Sequence, residues 1–287
     1  MALLPSGLSQ FGFRFDNWGT NPAATPGGTV TAGGSANTES ATPLVLATGA
    51  QLTEDTCGIE LSISDSSGTG DRQMLFDIGV DPAGGTSYTY VISNVVCGNT
   101  PVITTTGSGG HKFFFPIFIP AGSQVAIRTQ CSQASITAKV QAMFFGRPGR
   151  PEAMPCGQFS ETIGTITNSN GVSFTPGNAA DGTWVDLGAT AKDMWWWQLA
   201  YSVSNATITA EYTYIELAVG DATNKHIIHR AMHGGTTAEV AGMVLTTNRS
   251  PWASYWPTPA GAHLYVRGRC LNAPDTGYNA VAIGIGG

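Results

Sequence analysis

An acidic residue and an arginine recur at matching positions of this chain, and they are the first residues that could do chemistry together. Asp77 and Arg128 are followed, 139 residues later, by Glu216 and Arg267. A carboxylate and a guanidinium can bind through parallel hydrogen bonds, and such a pair can fix the register of neighbouring strands. We therefore expect a structural ion pair in each half of the chain. A role in contacting a sugar or another substrate is the alternative.

Aromatic residues form a second group of candidates. Six of the seven tryptophans follow residue 183. Flat aromatic rings are enriched at protein interfaces and can also stack on sugar rings. Consecutive tryptophans on a strand cannot all face one core, so at least one should face outward unless another domain covers it. Core packing, a protein interface and a glycan platform all stay open for the predicted binding set, which is Trp184, Trp195, Trp196, Trp197, Trp252, Tyr255 and Trp256.

Other groups that could support catalysis or hold a metal do not form a recognised site. His226, His229 and His233 would share one face of a helix, but their segment aligns with a strand-like one, where the first two point to opposite sides. The five cysteines form no CxxC pair, and no nucleophile elbow, Walker A loop or dinucleotide fingerprint occurs. We predict no catalytic residue, no cofactor and no metal. A glycosidase with two distant carboxylates is the enzymatic alternative.

An internal repeat must position these residues. Pro120, Ala121, Gly122 and Cys131 recur as Pro259, Ala260, Gly261 and Cys270, at the same offset of 139 residues as the ion pairs. A stretch rich in proline, glycine and arginine separates the two copies and is typical of a semi-rigid linker. The predicted domains are residues 1–146, with an N-terminal arm of about ten residues, and residues 157–287, joined by a linker at 147–156.

The pattern within each copy predicts strands. Ile136, Ala138, Val140, Ala142 and Phe144 alternate with more polar positions, which is the period of a strand with one buried face. Glycine and proline are abundant and only 11% of residues are charged, which disfavours long helices. We expect an all-β protein of two tandem jelly-roll-like β-sandwich domains.

Charge and hydropathy narrow the range of partners. The 13 basic residues are scattered and the sequence pI is about 5.2, so no nucleic-acid partner is predicted. No apolar stretch of about 18 residues indicates a membrane span. The N-terminus lacks the pattern of a secretory signal, which predicts synthesis in the cytoplasm.

Three segments together carry a resemblance. These are Phe76–Val80, Phe114–Gly122 and Val125–Arg128, followed by an alternating terminal strand. They resemble β-sandwich domains in structural proteins of tailed bacteriophages. The resemblance implies a non-enzymatic virion protein, either a tail protein or a capsid-decorating one, whose partners are other virion proteins. It carries no active site, so no functional residue is transferred. The second copy departs from it at Trp256–Pro259.

The predicted function is therefore attachment to the capsid or tail and assembly through β-sandwich interfaces. We expect a homo-oligomer, for which a trimer is one arrangement. A carbohydrate-binding adhesin that contacts a host surface glycan is the first alternative, and a polysaccharide depolymerase is the second.

Overall fold

The computed structural model describes residues 14–18, 27–65, 72–99, 111–146, 156–164, 171–203, 211–235, 243–246, 255–271 and 278–287. Every regular element in these ranges is a β-strand, and the strands form four sheets. The predicted all-β fold class is thus confirmed. The predicted N-terminal arm and residues 147–155 of the predicted linker lie outside the described residues.

The first half is built from two sheets. One has the strand order β1 (Arg14–Trp18), β9 (Thr137–Gly146), β4 (Thr56–Asp65) and β7 (His111–Phe115), and β2 (Gly28–Thr31) also pairs with β9. The other has the order β3 (Leu44–Ala47), β8 (Gln124–Cys131), β5 (Arg72–Asp81) and β6 (Thr89–Asn99). The alternating apolar residues of β9 lie in the core between the sheets, as their period predicts.

The second half repeats this arrangement. One sheet has the order β10 (Phe159–Ile163), β20 (Tyr278–Gly286), β14 (Met194–Val203) and β17 (Met243–Thr246), with β11 (Val172–Phe174) on β20 and β18 (Tyr255–Thr258) on β14. The other has the order β12 (Gly177–Asn178), β19 (His263–Cys270), β15 (Glu211–Gly220) and β16 (Lys225–Gly235), with β13 (Val185–Ala189) also on β19.

The strand order identifies each half as a jelly roll. When β2, β11, β12 and β18 are set aside, eight strands remain in each half. In chain order they pair as first, eighth, third and sixth in one sheet, and as second, seventh, fourth and fifth in the other. That wrapping of eight strands into two sheets is the jelly-roll topology. The tandem repeat expected from the fixed offset therefore extends to every one of these eight strands.

The two jelly rolls pack against each other. Beside the buried Gln198, the outer face of the β20–β14 pair carries five buried apolar residues, which belong to the same apolar cluster as the core of the first half. We call them the inter-half face: Trp196, Ala200, Val281, Ile283 and Ile285. Thr162 Oγ1 also donates a hydrogen bond of 2.9 Å to the carbonyl of Ser93 on β6. Strand β20 is consequently buried on both of its faces.

The matching face of the first half has a different character. Cross-strand pairing aligns Ala200, Val281 and Ile283 with Ser62, Gln141 and Met143, all of which are only partly buried. The first face meets solvent and the second meets a neighbour, so the second has gained apolar side chains. Contact continues at Gly157, whose N–H donates to the Pro116 carbonyl at 2.7 Å.

Candidate functional site

The first ion pair lies on the outer face of the β5–β8 pair. Asp77 and Arg128 stand directly opposite each other on the two strands. The Nε and one terminal nitrogen of Arg128 both lie 2.9 Å from Asp77 Oδ2. A second carboxylate, Glu39, also binds Arg128, and the ring of Tyr90 lies 3.6 Å from the guanidinium carbon. The arginine is therefore held by two acids and an aromatic face.

The second half rebuilds the same network. Glu216 and Arg267 are opposite each other on β15 and β19, with Arg267 Nε 2.7 Å from Glu216 Oε2. Arg267 also binds Asp181 at 2.9 Å, and the ring of Trp184 lies 4.4 Å from its guanidinium carbon. The structure thus brings both predicted pairs together. Among the predicted aromatic residues, it places Trp184 against this arginine.

The second carboxylate of each network was missed by the sequence analysis. Glu39 lies five residues before β3, and Asp181 lies four residues before β13, the equivalent strand. Both residues lie in loops, where no hydrophobic periodicity marks them. Their similar distance from the equivalent strands β3 and β13 was the one sequence signal that they correspond. Burial raises the pKa of Glu39, and nearby Asp77 adds to this effect while Arg128 opposes it.

A cleft of about 640 Å³ opens beside the second network. Three arginines line it, together with an exposed tyrosine and an exposed leucine: Arg230, Arg267, Arg269, Tyr214 and Leu271. Arg230 lies across β15 from Arg267 and donates through Nε to Glu216 Oε1 at 2.7 Å. One carboxylate therefore holds two of the three guanidinium groups.

The run of three tryptophans is divided between two cores. Trp197 is fully buried inside the second jelly roll, and its Nε1 donates to Thr258 Oγ1 at 2.9 Å. Trp196 is 1% exposed and belongs to the inter-half face. A β-bulge falls between Met194 and Trp196, and Trp195 is partly buried against the same cluster as Trp196.

The interpretation of Trp196 and Trp197 as an external glycan platform is therefore wrong. A platform needs an exposed ring face, and the first jelly roll and the second core cover these two rings. The sequence rule that one tryptophan must face outward allowed for cover by another domain, and that cover is what the structure provides.

The remaining predicted aromatic residues occupy other places. Trp256 is partly buried and stacks on His226 with ring centroids 4.1 Å apart. It lines a groove of about 580 Å³ with Asp221, Asn224 and Lys225.

Backbone N–H groups of Asn224 and Thr223 donate to Asp221 and hold its pKa below the ordinary value. Trp252 lies outside the described residues, and Tyr255 is described by its backbone alone.

The histidine segment forms strand β16, as its alignment predicted. Burial lowers the pKa of His229, which favours the neutral ring. In the part of the chain that the structure describes, no group of three histidine, cysteine or acidic side chains is placed to hold a metal ion. Within the same residues, no helix has the length and hydropathy needed to cross a membrane.

Comparison with known proteins gives no family. No family model matches the chain, and no curated protein matches it. Among solved structures, it is similar to the CBM22-1–CBM22-2 tandem domain of Xyn10C from Paenibacillus barcinonensis, with 12% identity, 96% of this chain and 91% of that chain covered, and a TM-score of 0.27.

Two further solved structures are similar over most of their length. The cowpea mosaic virus top component, a naturally occurring empty particle, has 9% identity, covers 94% of this chain and 87% of that one, and has a TM-score of 0.32. PNGase F, a glycosylasparaginase from Flavobacterium meningosepticum, has 10% identity, covers 95% and 96%, and has a TM-score of 0.35. Similarity at this level does not establish a shared fold, so the jelly-roll assignment rests on the strand order of this chain.

Proposed function

We propose that the chain is a non-enzymatic structural protein of a bacteriophage particle, which attaches to the capsid or tail and assembles with further copies through its sheet faces. One observation carries the proposal. Five apolar residues of the second jelly roll are buried against the first, so two sandwiches form one block. Such a block presents its outer sheet faces in a set relation to each other, which suits a repeated unit in a symmetric assembly.

Two features of the sequence support the same function. The low share of charged residues, 11%, suits a protein whose outer faces meet neighbours, because charged residues are depleted at the centres of interfaces. The resemblance of Phe76–Val80 and Phe114–Gly122 to domains of tailed-phage structural proteins points the same way.

The proposal is tested on intact particles. Particles from a host culture that carries the gene are purified on a density gradient, washed in high salt and analysed by quantitative mass spectrometry and immunogold electron microscopy. We expect the protein in the particle fraction at a constant copy number relative to the main shell protein. Its presence in the free protein fraction alone would refute the proposal. Release of reducing sugar from host capsule or cell-wall material by the pure protein would refute its non-enzymatic part.

We propose glycan binding as a second function, on the basis of the groove that Trp256 lines. The groove combines a partly exposed indole, whose ring stacks on His226, with the amide of Asn224, the ammonium of Lys225 and the carboxylate of Asp221. Sugar rings stack on aromatic faces, and their hydroxyls bond to groups of these kinds.

A glycan array tests this second function. We expect the wild type to retain at least one glycan and the Trp256→Ala variant to lose it. Tyr214→Ala is the matched control, because it removes an exposed aromatic ring outside the groove, and it should bind as the wild type does. A wild type without signal on any glycan contradicts the proposal.

A further inference from the structure

The outer face of the β19–β15–β16 sheet carries exposed apolar residues beside its ion-pair network. Tyr214, Met232 and Leu271 are 53%, 60% and 67% exposed, and they are three of the five exposed large apolar residues in the described part of the chain. Arg230 and Arg269 lie beside them on neighbouring strands. We call these five residues the arginine face.

The first jelly roll shows that this kind of sheet can fold without an arginine face. Its own ion pair sits at the same place, but its surroundings are different. The residues that match Tyr214 and Met232 are 4% and 1% exposed. A backbone N–H, that of Asn94, takes the place of Arg230 beside the carboxylate, at 2.7 Å from Asp77 Oδ1. The counterparts of Tyr214, Met232 and Arg269 are Leu75, Val96 and Gln130.

The composition of the arginine face fits a protein partner. Tyrosine, methionine and arginine are enriched at protein interfaces, whereas lysine and glutamate are depleted. The two outer arginines are already ordered, since Arg230 is held by Glu216 and Arg269 donates to the Ala179 carbonyl at 3.0 Å. An ordered guanidinium loses less side-chain entropy when it binds a carboxylate. The partner should therefore present a carboxylate beside an apolar side chain.

The first jelly roll presents such a surface. Phe118 is 44% exposed. The next residue, Ile119, exchanges two backbone hydrogen bonds with Thr56. Exposed Asp55 precedes Thr56 and therefore lies beside the segment that carries Phe118. Asp55 is ordered, since its Oδ1 accepts the Ala121 N–H at 2.9 Å, and residues 1–146 as a whole carry a net charge of −4. We call Asp55 and Phe118 the acidic face.

We propose that the arginine face of one copy docks on the acidic face of a second copy of this chain. The inference rests on the proposed function, because it names the contact through which an assembling protein would join its neighbour. The arginines meet the Asp55 carboxylate, and the exposed apolar residues of the two faces cover each other, so the pairing removes two surfaces from water at once. Since the two faces differ, the contact is heterologous and joins copies head to tail into a ring or a filament.

Two variants, each with one face removed, test the proposal. The first carries Arg230→Gln, Arg269→Gln and Leu271→Ser, and the second carries Asp55→Asn and Phe118→Ser. Lys112→Gln with Lys139→Gln is the control, because it removes two positive charges elsewhere. Circular dichroism first establishes that all three fold. Sedimentation velocity over a range of micromolar concentrations then measures association.

We expect the wild type and the control to associate alike, and each face variant to associate at least about tenfold more weakly. An equimolar mixture of the two face variants should form a one-to-one dimer, since each retains the face that the other lacks. A mixture that stays monomeric, or a wild type that does, overturns the proposal. If the wild type is monomeric and binds polygalacturonate, and the Arg230→Gln, Arg269→Gln, Leu271→Ser variant does not, the arginines bind an acidic polysaccharide instead and the proposal is overturned. If the face variants associate as strongly as the wild type, this contact is wrong. The proposed structural function is not affected by that result, because the particle analysis tests it separately.

Discussion

Arg128 is the residue on which the outer face of the first jelly roll depends electrostatically. It holds Asp77, whose side chain is only 10% exposed, and it also binds Glu39. Without the cation, two carboxylates would face each other at the sheet surface, and the less exposed one would keep only its bond from the Asn94 N–H. Removing one partner of a partly buried pair costs more than the pair itself contributes, because the other charge stays behind.

We therefore predict that Arg128→Met lowers the free energy of unfolding by about 3 kcal/mol, the lower end of the cost of breaking a buried pair, since Arg128 retains some exposure. Urea unfolding followed by fluorescence measures the change. Lys112→Met is the matched control, because it removes the same charge from a pair with Glu60 whose lysine is 70% exposed. That loss should stay below about 1 kcal/mol. Equal losses in the two variants would contradict the network's importance.

His229 gives the molecule a pH dependence of known sign. Burial lowers its pKa in the folded chain below the ordinary value of 6.5. Between the two pKa values the unfolded chain binds more protons than the folded one, so the folded state loses stability as the pH falls through this window. Once the pH is below the folded pKa, the loss contributed by this residue is complete.

Urea unfolding of the wild type, His229→Gln and His229→Phe from about pH 7.5 to about pH 5 gives the free energy of unfolding of each as a function of pH. Both variants should lose less stability on acidification than the wild type, because neither replacement titrates. Two replacements of different size separate the effect of charge from that of packing. Curves that run parallel to the wild type in both variants would show that another group is responsible.

At the scale of single elements, the two jelly rolls solve one packing problem in opposite ways. Ile59 on β4 lies opposite Phe144 on β9, and the equivalent pair in the second half is Trp197 opposite Gly284. The large residue has moved from one strand to the other. A Cβ atom at Gly284 would stand 2.6 Å from the Trp197 ring, so the glycine makes room for the indole. Interiors are close-packed, so each strand's residue depends on its partner's volume.

We predict that Trp197→Ile and Gly284→Phe are each strongly destabilising and that the double variant recovers part of the loss. The first leaves a cavity, at a cost of about 3 kcal/mol. The second forces an overlap that costs about 3 kcal/mol or more. The double variant restores the volumes of the first half but not the bond from Trp197 Nε1 to Thr258. A double-mutant cycle in urea should give a coupling of at least about 1 kcal/mol. Strict additivity would contradict the exchange of volumes.

The elements were largely predictable from sequence, because strands obey local rules. The period of two in residues 136–144 predicted a half-buried strand, and a constant offset predicted that Asp77 and Arg128 would have equivalents in a second copy. The position of Glu39 and Asp181 was not predictable, because loops follow no period. The inter-half face does have a signal in the sequence. Residues 280–285 are an almost unbroken apolar run, which is typical of a strand covered on both faces.

At the scale of the whole molecule, the contact between the jelly rolls decides what the chain can do as a unit. Three positions that are only partly buried in the first half, Ser62, Gln141 and Met143, correspond to the buried residues Ala200, Val281 and Ile283 of the inter-half face. Exposing such a patch leads to aggregation, so the second half should depend on the first for solubility. The same contact couples the unfolding of the two halves, because unfolding of one half exposes the buried face of the other. The full chain should then unfold in a single transition.

Replacing Val281 by Gln and Ile283 by Thr tests this dependence, because the first half carries Gln141 and partly exposed residues on the same face. In the full chain, each buried polar group without a partner costs about 1 to 3 kcal/mol, so we predict that the two halves separate and unfold in two transitions. Expressed alone, residues 157–287 should aggregate with the natural residues and stay soluble with both substitutions. Gln141→Val with Met143→Ile is the control in the full chain, and it should leave the single transition intact. A single transition in the Val281→Gln, Ile283→Thr chain would show that the inter-half face does not couple the jelly rolls, and their joint unfolding would then need another cause.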